Sequence, residues 1–199
     1  RSAPVDTSWG TTPDVNGDGY ADVIVGAPNA NGGAGRMHVY LGGARPLTTV
    51  PAMSLDGRAT GDAFGTSVAS AGDINGDGYA DVVVGAPASY YAGRAYVYLG
   101  GSDGLATSPA ATLEGNGYFG MSVASAGDVN GDGFDDLIVG ATYADGNGDG
   151  SGASYVVFGK ASGFDAAMTL AGLGGVDGMR LHGGAERGRS GFTMRTTGE

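Results

Sequence analysis

The sequence predicts an all-β protein built from repeated units of four short antiparallel strands. Three observations carry that prediction. A fifteen-residue segment recurs: DVNGDGYADVIVGAP from Asp14, DINGDGYADVVVGAP from Asp73 and DVNGDGFDDLIVGAT from Asp128. Each copy turns at once from acidic residues into a β-branched run, the composition of a buried strand. No stretch repeats its apolar residues at helical spacing.

The elements of a unit follow in a fixed order. A short segment comes first: VDTSWGTTP, FGTSVASAG or FGMSVASAG. The acidic loop reverses the chain, and VIVGAP, VVVGAP or LIVGAT forms the second strand. After a variable loop, RMHVYLGG, RAYVYLGG or SYVVFGK forms the third. The fourth ends in MSLDG, ATLEG or MTLAG. Gly, Asn and Asp at the connections supply the turns. The loops start 59 and then 55 residues apart, and four strands in such a period match the blade of a β-propeller. A β-sandwich is the alternative, but it does not demand this regular repetition.

The expected units span about residues 5–57, 58–115 and 116–172, with a degenerate half unit at 173–199. The half unit rests on laying residues 178–199 on residues 120–141 without a gap. Gly191-Phe192 then match Gly133-Phe134, and Glu186, Gly188, Ser190 and Met194 stand where the acidic loop has its ligands. The expected content is therefore three full units and about half of a fourth.

Composition narrows the function. The chain has 199 residues and a formal charge of −11. Nine of its 21 acidic residues occupy matching positions in the three loops, so the acidity belongs to a motif. No basic surface is present for nucleic acid or anionic lipid. Cysteine is absent, which excludes disulfides and thiolate metal sites. No apolar stretch approaches the roughly 20 residues that span a bilayer.

The loops read as metal sites. Three carboxylates within nine residues repel one another unless a cation neutralises them. The pattern D-x-N-x-D-G-x-x-D offers only oxygen donors, and a carboxylate-rich, irregular cage favours Ca²⁺ over Mg²⁺. The ligand sets are Asp14, Asn16, Asp18 and Asp22 with the Tyr20 carbonyl; Asp73, Asn75, Asp77 and Asp81 with that of Tyr79; and Asp128, Asn130, Asp132 and Asp136 with that of Phe134. An EF-hand needs a bidentate Glu at position twelve, where these loops carry Val25, Val84 and Val139. The bland alternative is a metal-free turn rich in Asp and Asn. The expectation is about three Ca²⁺ per chain. Asp145, Asn147 and Asp149 repeat the start of the pattern and form a weaker candidate, because Ala153 takes the closing position.

With the FG pairs Phe64-Gly65 and Phe119-Gly120, the acidic loops, and GAP at Gly26-Ala27-Pro28 and Gly85-Ala86-Pro87, the chain resembles the FG-GAP repeat family. Those repeats build the β-propeller of integrin α subunits and of many bacterial surface or secreted proteins. The resemblance implies calcium in the hairpin between a blade's first two strands, and a role in extracellular recognition. Departures are Val5-Asp6 in place of the first FG pair, GAT for GAP in the third unit, and the lost ligands of the tail. Integrin-type propellers have seven blades, so the expectation includes a fragment, a homodimer that completes a propeller, or a small closed form.

Catalysis is not expected. His38 and His182 are the only histidines, and no nucleophile has a local base partner. The repeated acids already serve as ligands. The loops at the other end of the strands carry Asn29, Asn31, Tyr90, Tyr91, Tyr118 and Tyr143, and these tyrosines are the candidate ligand face. Three functions compete: an extracellular or cell-surface adhesion module binding protein partners, a glycan-binding propeller, and an accessory propeller of a larger secreted hydrolase.

Overall fold

The structure, a computed structural model, describes residues 13–88, 93–145, 148–170, 173–185 and 187–193. These form strands, turns and one short helical turn, α1 (Ala30–Gly33), in which Asn31 and Gly32 adopt left-handed angles. The fold is all-β, as the repeats predict.

Three sheets follow one another along the chain. The first contains β1 (Val23–Ala27), β2 (Arg36–Tyr40) and β3 (Met53–Asp56) in that order. Its expected first strand lies outside the described residues. The second contains β4 (Ser67–Gly72), β5 (Asp81–Ala86), β6 (Gly93–Tyr98) and β7 (Ala111–Gly115), all antiparallel neighbours. The third contains β8 (Phe119–Gly127), β9 (Asp136–Ala141) and β10 (Ala153–Val157), closed by β12 (Gly178–His182). A further strand, β11 (Ala167–Thr169), runs parallel to β7 and extends the second sheet.

The sheets pack face to face as blades. On β5, Val82 and Val84 point into a cluster shared with Met37 and Val39 of the first blade, whereas Val83 points into one shared with Val123, Leu137 and Val139 of the third. All three valines are fully buried, which is why an uninterrupted apolar run stands there. β1 is covered on one side only: Ile24 joins the first cluster while Val23 and Val25 are exposed.

The FG and GAP pairs are two halves of one contact between blades. A Cβ on Gly26 would overlap the carbonyl of Gly65, and one on Gly85 would overlap that of Gly120. The backbones meet so closely that no side chain fits between them. Phe64 and Phe119 then bury completely beside these crossings, edge-on to Tyr96 and Tyr155.

The tail corrects the expected strand assignment. Met168 and Thr169 of MTLAG do not become the fourth strand of the third blade; they lie in β11, against β7 of the second. The fourth strand is β12, paired antiparallel with β10. Its residues 179–183, MRLHG, repeat MSLDG of the first blade. The ungapped alignment of the tail therefore has the wrong register. Gly191 takes the place of an FG glycine, because its carbonyl is what a Cβ on Gly140 would strike. Ser190 bridges Gly152 as Phe64 bridges Gly35. Ser190-Gly191 thus stand as the FG pair opening a next unit, and Ser190 does not stand in the place of Asp132. The physical reason is backbone fit: two strands must approach without a Cβ at Gly140, and only a glycine partner satisfies that.

Candidate functional site

The three acidic loops share one hydrogen-bond pattern. The first aspartate accepts the N–H groups of loop positions five and six. Asp18 and Gly19 donate to Asp14 at 3.1 and 2.9 Å, Asp77 and Gly78 to Asp73 at 3.0 and 2.8 Å, and Asp132 and Gly133 to Asp128 at 3.0 and 2.9 Å. The asparagine Oδ1 accepts from the fifth position in every copy, and the fifth aspartate accepts from the seventh. Each turn is therefore held by side chains that mimic backbone acceptors. The asparagine amide donates to the fifth aspartate, as in Asn75 Nδ2 to Asp77 Oδ2 at 2.9 Å.

The ninth position differs from the rest. Asp22, Asp81 and Asp136 are buried, and both oxygens of each accept backbone N–H bonds. Asp81 receives Ile74 at 3.0 Å and Gly100 at 2.9 Å. Asp22 receives Val15 and Gly42, and Asp136 receives Val129 and Gly159. Each ties the start of its loop to the glycine that follows the third strand. Burial pushes all three carboxyls up, Asp81 to about 7, with a smaller contribution from the two other aspartates of the loop; the two N–H donors oppose the rise.

Neighbouring loops touch. The Tyr79 ring lies against Gly17 of the preceding loop, and the Phe134 ring against Gly76. Ala80 N–H donates to the Asp14 carbonyl at 3.1 Å, and Asp135 N–H to that of Asp73 at 3.2 Å. The Asp135 carboxylate also accepts Asp73 N–H at 2.8 Å. Loop spacing does not point to Asp135. The signal for it is the doubled Asp135-Asp136, where the other loops carry Ala21-Asp22 and Ala80-Asp81.

The donors of each loop are all oxygen, the set a hard cation takes. Among the described residues, no three acidic or imidazole groups converge into a complete metal cage. In the weaker candidate, Gly150 N–H donates to Asp145 at 2.8 Å and the Asp149 carbonyl accepts Arg187 N–H. Asn147 lies outside the described residues.

At the other end of the strands, Tyr118 and Tyr143 come together with ring centroids 5.3 Å apart. The Arg189 guanidinium lies 4.8 Å from the Tyr143 centroid. Asn31 donates to Asp56 at 2.7 Å, and Asn29 precedes α1. Tyr90 and Tyr91 lie outside the described residues. His38 is a strand residue bonded to the Ser54 hydroxyl at 2.8 Å. His182 is exposed on β12.

Comparison with known proteins matches the FG-GAP repeat at residues 7–40, 64–98 and 119–157, more than half of the chain. Chicken integrin alpha-6 is 35% identical over 136 residues, which cover 64% of this chain and 12% of that protein. Mouse integrin alpha-IIb is 39% identical over 145 residues, covering 64% and 14%. Integrin alpha-5 of Xenopus laevis is 34% identical over 149 residues, covering 66% and 14%. The chain thus spans about an eighth of the length of these curated relatives. Three matched repeats, each closed by a glycine-to-glycine crossing between blades, lead to one conclusion: the chain belongs to the FG-GAP repeat family, homologous to integrin α subunits.

Proposed function

We infer that the chain is a calcium-stabilised recognition module that binds protein partners outside the cell or at its surface, and that it is not an enzyme. The observation that carries this reading is the threefold repetition of one oxygen-only loop with one hydrogen-bond pattern, at the same end of successive blades. The ligands are Asp14, Asn16, Asp18 and Asp22; Asp73, Asn75, Asp77 and Asp81; and Asp128, Asn130, Asp132 and Asp136, with the carbonyls of Tyr20, Tyr79 and Phe134. Bound calcium would neutralise each loop's carboxylates and cross-link its two ends. The fold already supplies the rest: Asx turns that set the loop backbone, a buried ninth aspartate that fixes its exit, and aromatic contacts that lock each loop to the next. The carboxylates must close in from the positions they hold here, and the exposed Asp18, Asp77 and Asp132 have room to do so.

Homology to integrin α subunits supports the location. Among the described residues, no helix is long and apolar enough to cross a membrane. The Tyr118–Tyr143 pair, far from the calcium ends, is the proposed ligand face, since paired tyrosines present large contact area at low entropy cost. A panel of immobilised extracellular proteins and a glycan array, each probed with and without chelator, tests the reading. The expected result is calcium-dependent capture by a protein that Tyr143→Ala weakens. Capture by glycans alone would replace it with the lectin reading.

A further inference from the structure

Blades one and two enclose a crevice at a place whose counterpart between blades two and three is taken by Leu170. Its volume is about 260 Å³, and its walls include Leu55, Arg58, Phe64, Tyr96, Tyr98 and Ser108. In the third blade, the connection between its last two strands is long (residues 158–177) and lays β11 along β7. The register continues Leu170 to a place beside Gly115, where it is buried in the cluster of Leu113, Phe119 and Tyr155. Those residues correspond by blade to Leu55, Phe64 and Tyr96. The second blade's connection (residues 99–110) is shorter and contains no strand. It brings Ser108 to the rim of the crevice and leaves β3 as the outer strand of its sheet.

One charged group, Arg58, stands exposed beside this gap. The Tyr96 hydroxyl is buried without a well-formed hydrogen bond, while the neighbouring Arg94 is engaged by Glu114. The Arg58 guanidinium lies 5.5 Å from the Tyr96 ring centroid, and among the described residues no carboxylate pairs with it. Asp56, in contrast, is taken by Arg36 and Asn31.

We propose that the β3 edge and this crevice form a docking site for an extended peptide of a partner protein, which adds as a parallel strand and buries one apolar side chain next to an acidic residue. The volume is below that of sites for drug-sized ligands and suits a single side-chain anchor. The exposed edge supplies backbone hydrogen bonds, and the pocket selects the side chain, the division of labour in strand addition. The chain itself shows the occupied form in β11: Thr112 N–H of the receiving strand donates to the Ala166 carbonyl at 3.0 Å. The anchor enters between Phe64 and Tyr98, and Arg58 pairs with the acid. This site does not involve the acidic loops.

The test uses the 199-residue chain and a fluorescent peptide, GFDAAMTLEG, which copies residues 163–172 with Glu in place of Ala171. Titration should saturate below about 1 mM, and NMR shifts should centre on residues 54–58 and 107–109. Arg58→Glu, an exposed change that leaves the core intact, should weaken binding about tenfold. Ser54→Pro, which removes an N–H from the edge strand, should abolish it, as should Asp for Leu in the peptide. No saturation at that concentration, shifts centred elsewhere, or indifference to Arg58→Glu would overturn the proposal. Self-association of the chain that the same variants suppress would also overturn it, by making a second copy the occupant.

Discussion

Replacing Asp81 and replacing Asp77 should separate the architecture of an acidic loop from its metal chemistry. Asp81 is fully buried and accepts two backbone N–H bonds, from Ile74 and Gly100. Asp81→Ala leaves both donors without a partner. Orphaning a buried donor costs about 1–3 kcal/mol, so the pair costs roughly 3–5 kcal/mol. For a chain of this size that lowers the melting temperature by about 10 °C. Asp77 is exposed and accepts bonds only within its own turn. Its loss should cost about 1 kcal/mol or less without calcium. Calcium at a hundredfold excess over its dissociation constant adds about 2.7 kcal/mol per site, and each variant should forfeit one site. Thermal and urea melts of both variants, in calcium and in chelator, measure the four quantities. In chelator Asp81→Ala should be severely destabilised and Asp77→Ala nearly normal; in calcium both should fall further behind the parent. Equal losses in chelator would refute the division of roles.

Other outcomes follow from the same geometry. Burial and loop charges raise the Asp81 carboxyl to about 7 from an ordinary 3.8. The proton-linked part of its contribution to the stability of calcium-free protein is therefore fully present below pH ~4 and lost as pH rises through about 7, while the two backbone N–H bonds remain. Calcium needs the carboxylate, so the gap between melts with calcium and with chelator should widen over that window; a gap constant with pH would contradict this. Gly85→Ala drives a Cβ into the Gly120 carbonyl and should cost on the order of 3 kcal/mol or more, whereas Gly78→Ala, in open space at φ +90°, should cost only about 1 kcal/mol of backbone strain, both read from denaturation midpoints. Val25 is exposed on the outward side of β1, and if that apolar side pairs two copies as the homodimer expectation requires, Val25→Lys should shift sedimentation from dimer to monomer; a parent that is monomeric at high concentration would remove that expectation.

The parts of the fold that repeat were legible in the sequence. The loops of the second and third units identified the β4–β5 and β8–β9 hairpins, and the valine run identified a strand covered on both sides at Val82, Val83 and Val84, whereas the equivalent run Val23-Ile24-Val25 is covered on one side only. The tail was not legible for a specific reason. MTLAG and MRLHG are equally good short strands, and the repeat period favours MTLAG, which starts 57 residues after ATLEG where MRLHG starts 68 after it, yet MRLHG takes the open edge of β10. The contest is decided by chain length between strands and by the glycine crossing at Gly140, both properties of three-dimensional fit. In the loops, the donor types were legible while their division of labour was not. The buried ninth aspartate binds backbone beyond its own loop, at Gly42, Gly100 or Gly159, about twenty residues further on. Asp135 likewise acts across blades, on Asp73. Local spacing carries no signal for such contacts.

The central claim is that the three repeated loops are calcium sites. Calorimetric titration of metal-free chain with Ca²⁺ measures it most directly. About three ions should bind per chain, falling by one in Asp77→Ala and unchanged in Asp149→Ala, with elemental analysis giving the same count. Fewer than about two tightly held ions, or a larger loss in Asp149→Ala than in Asp77→Ala, would contradict it.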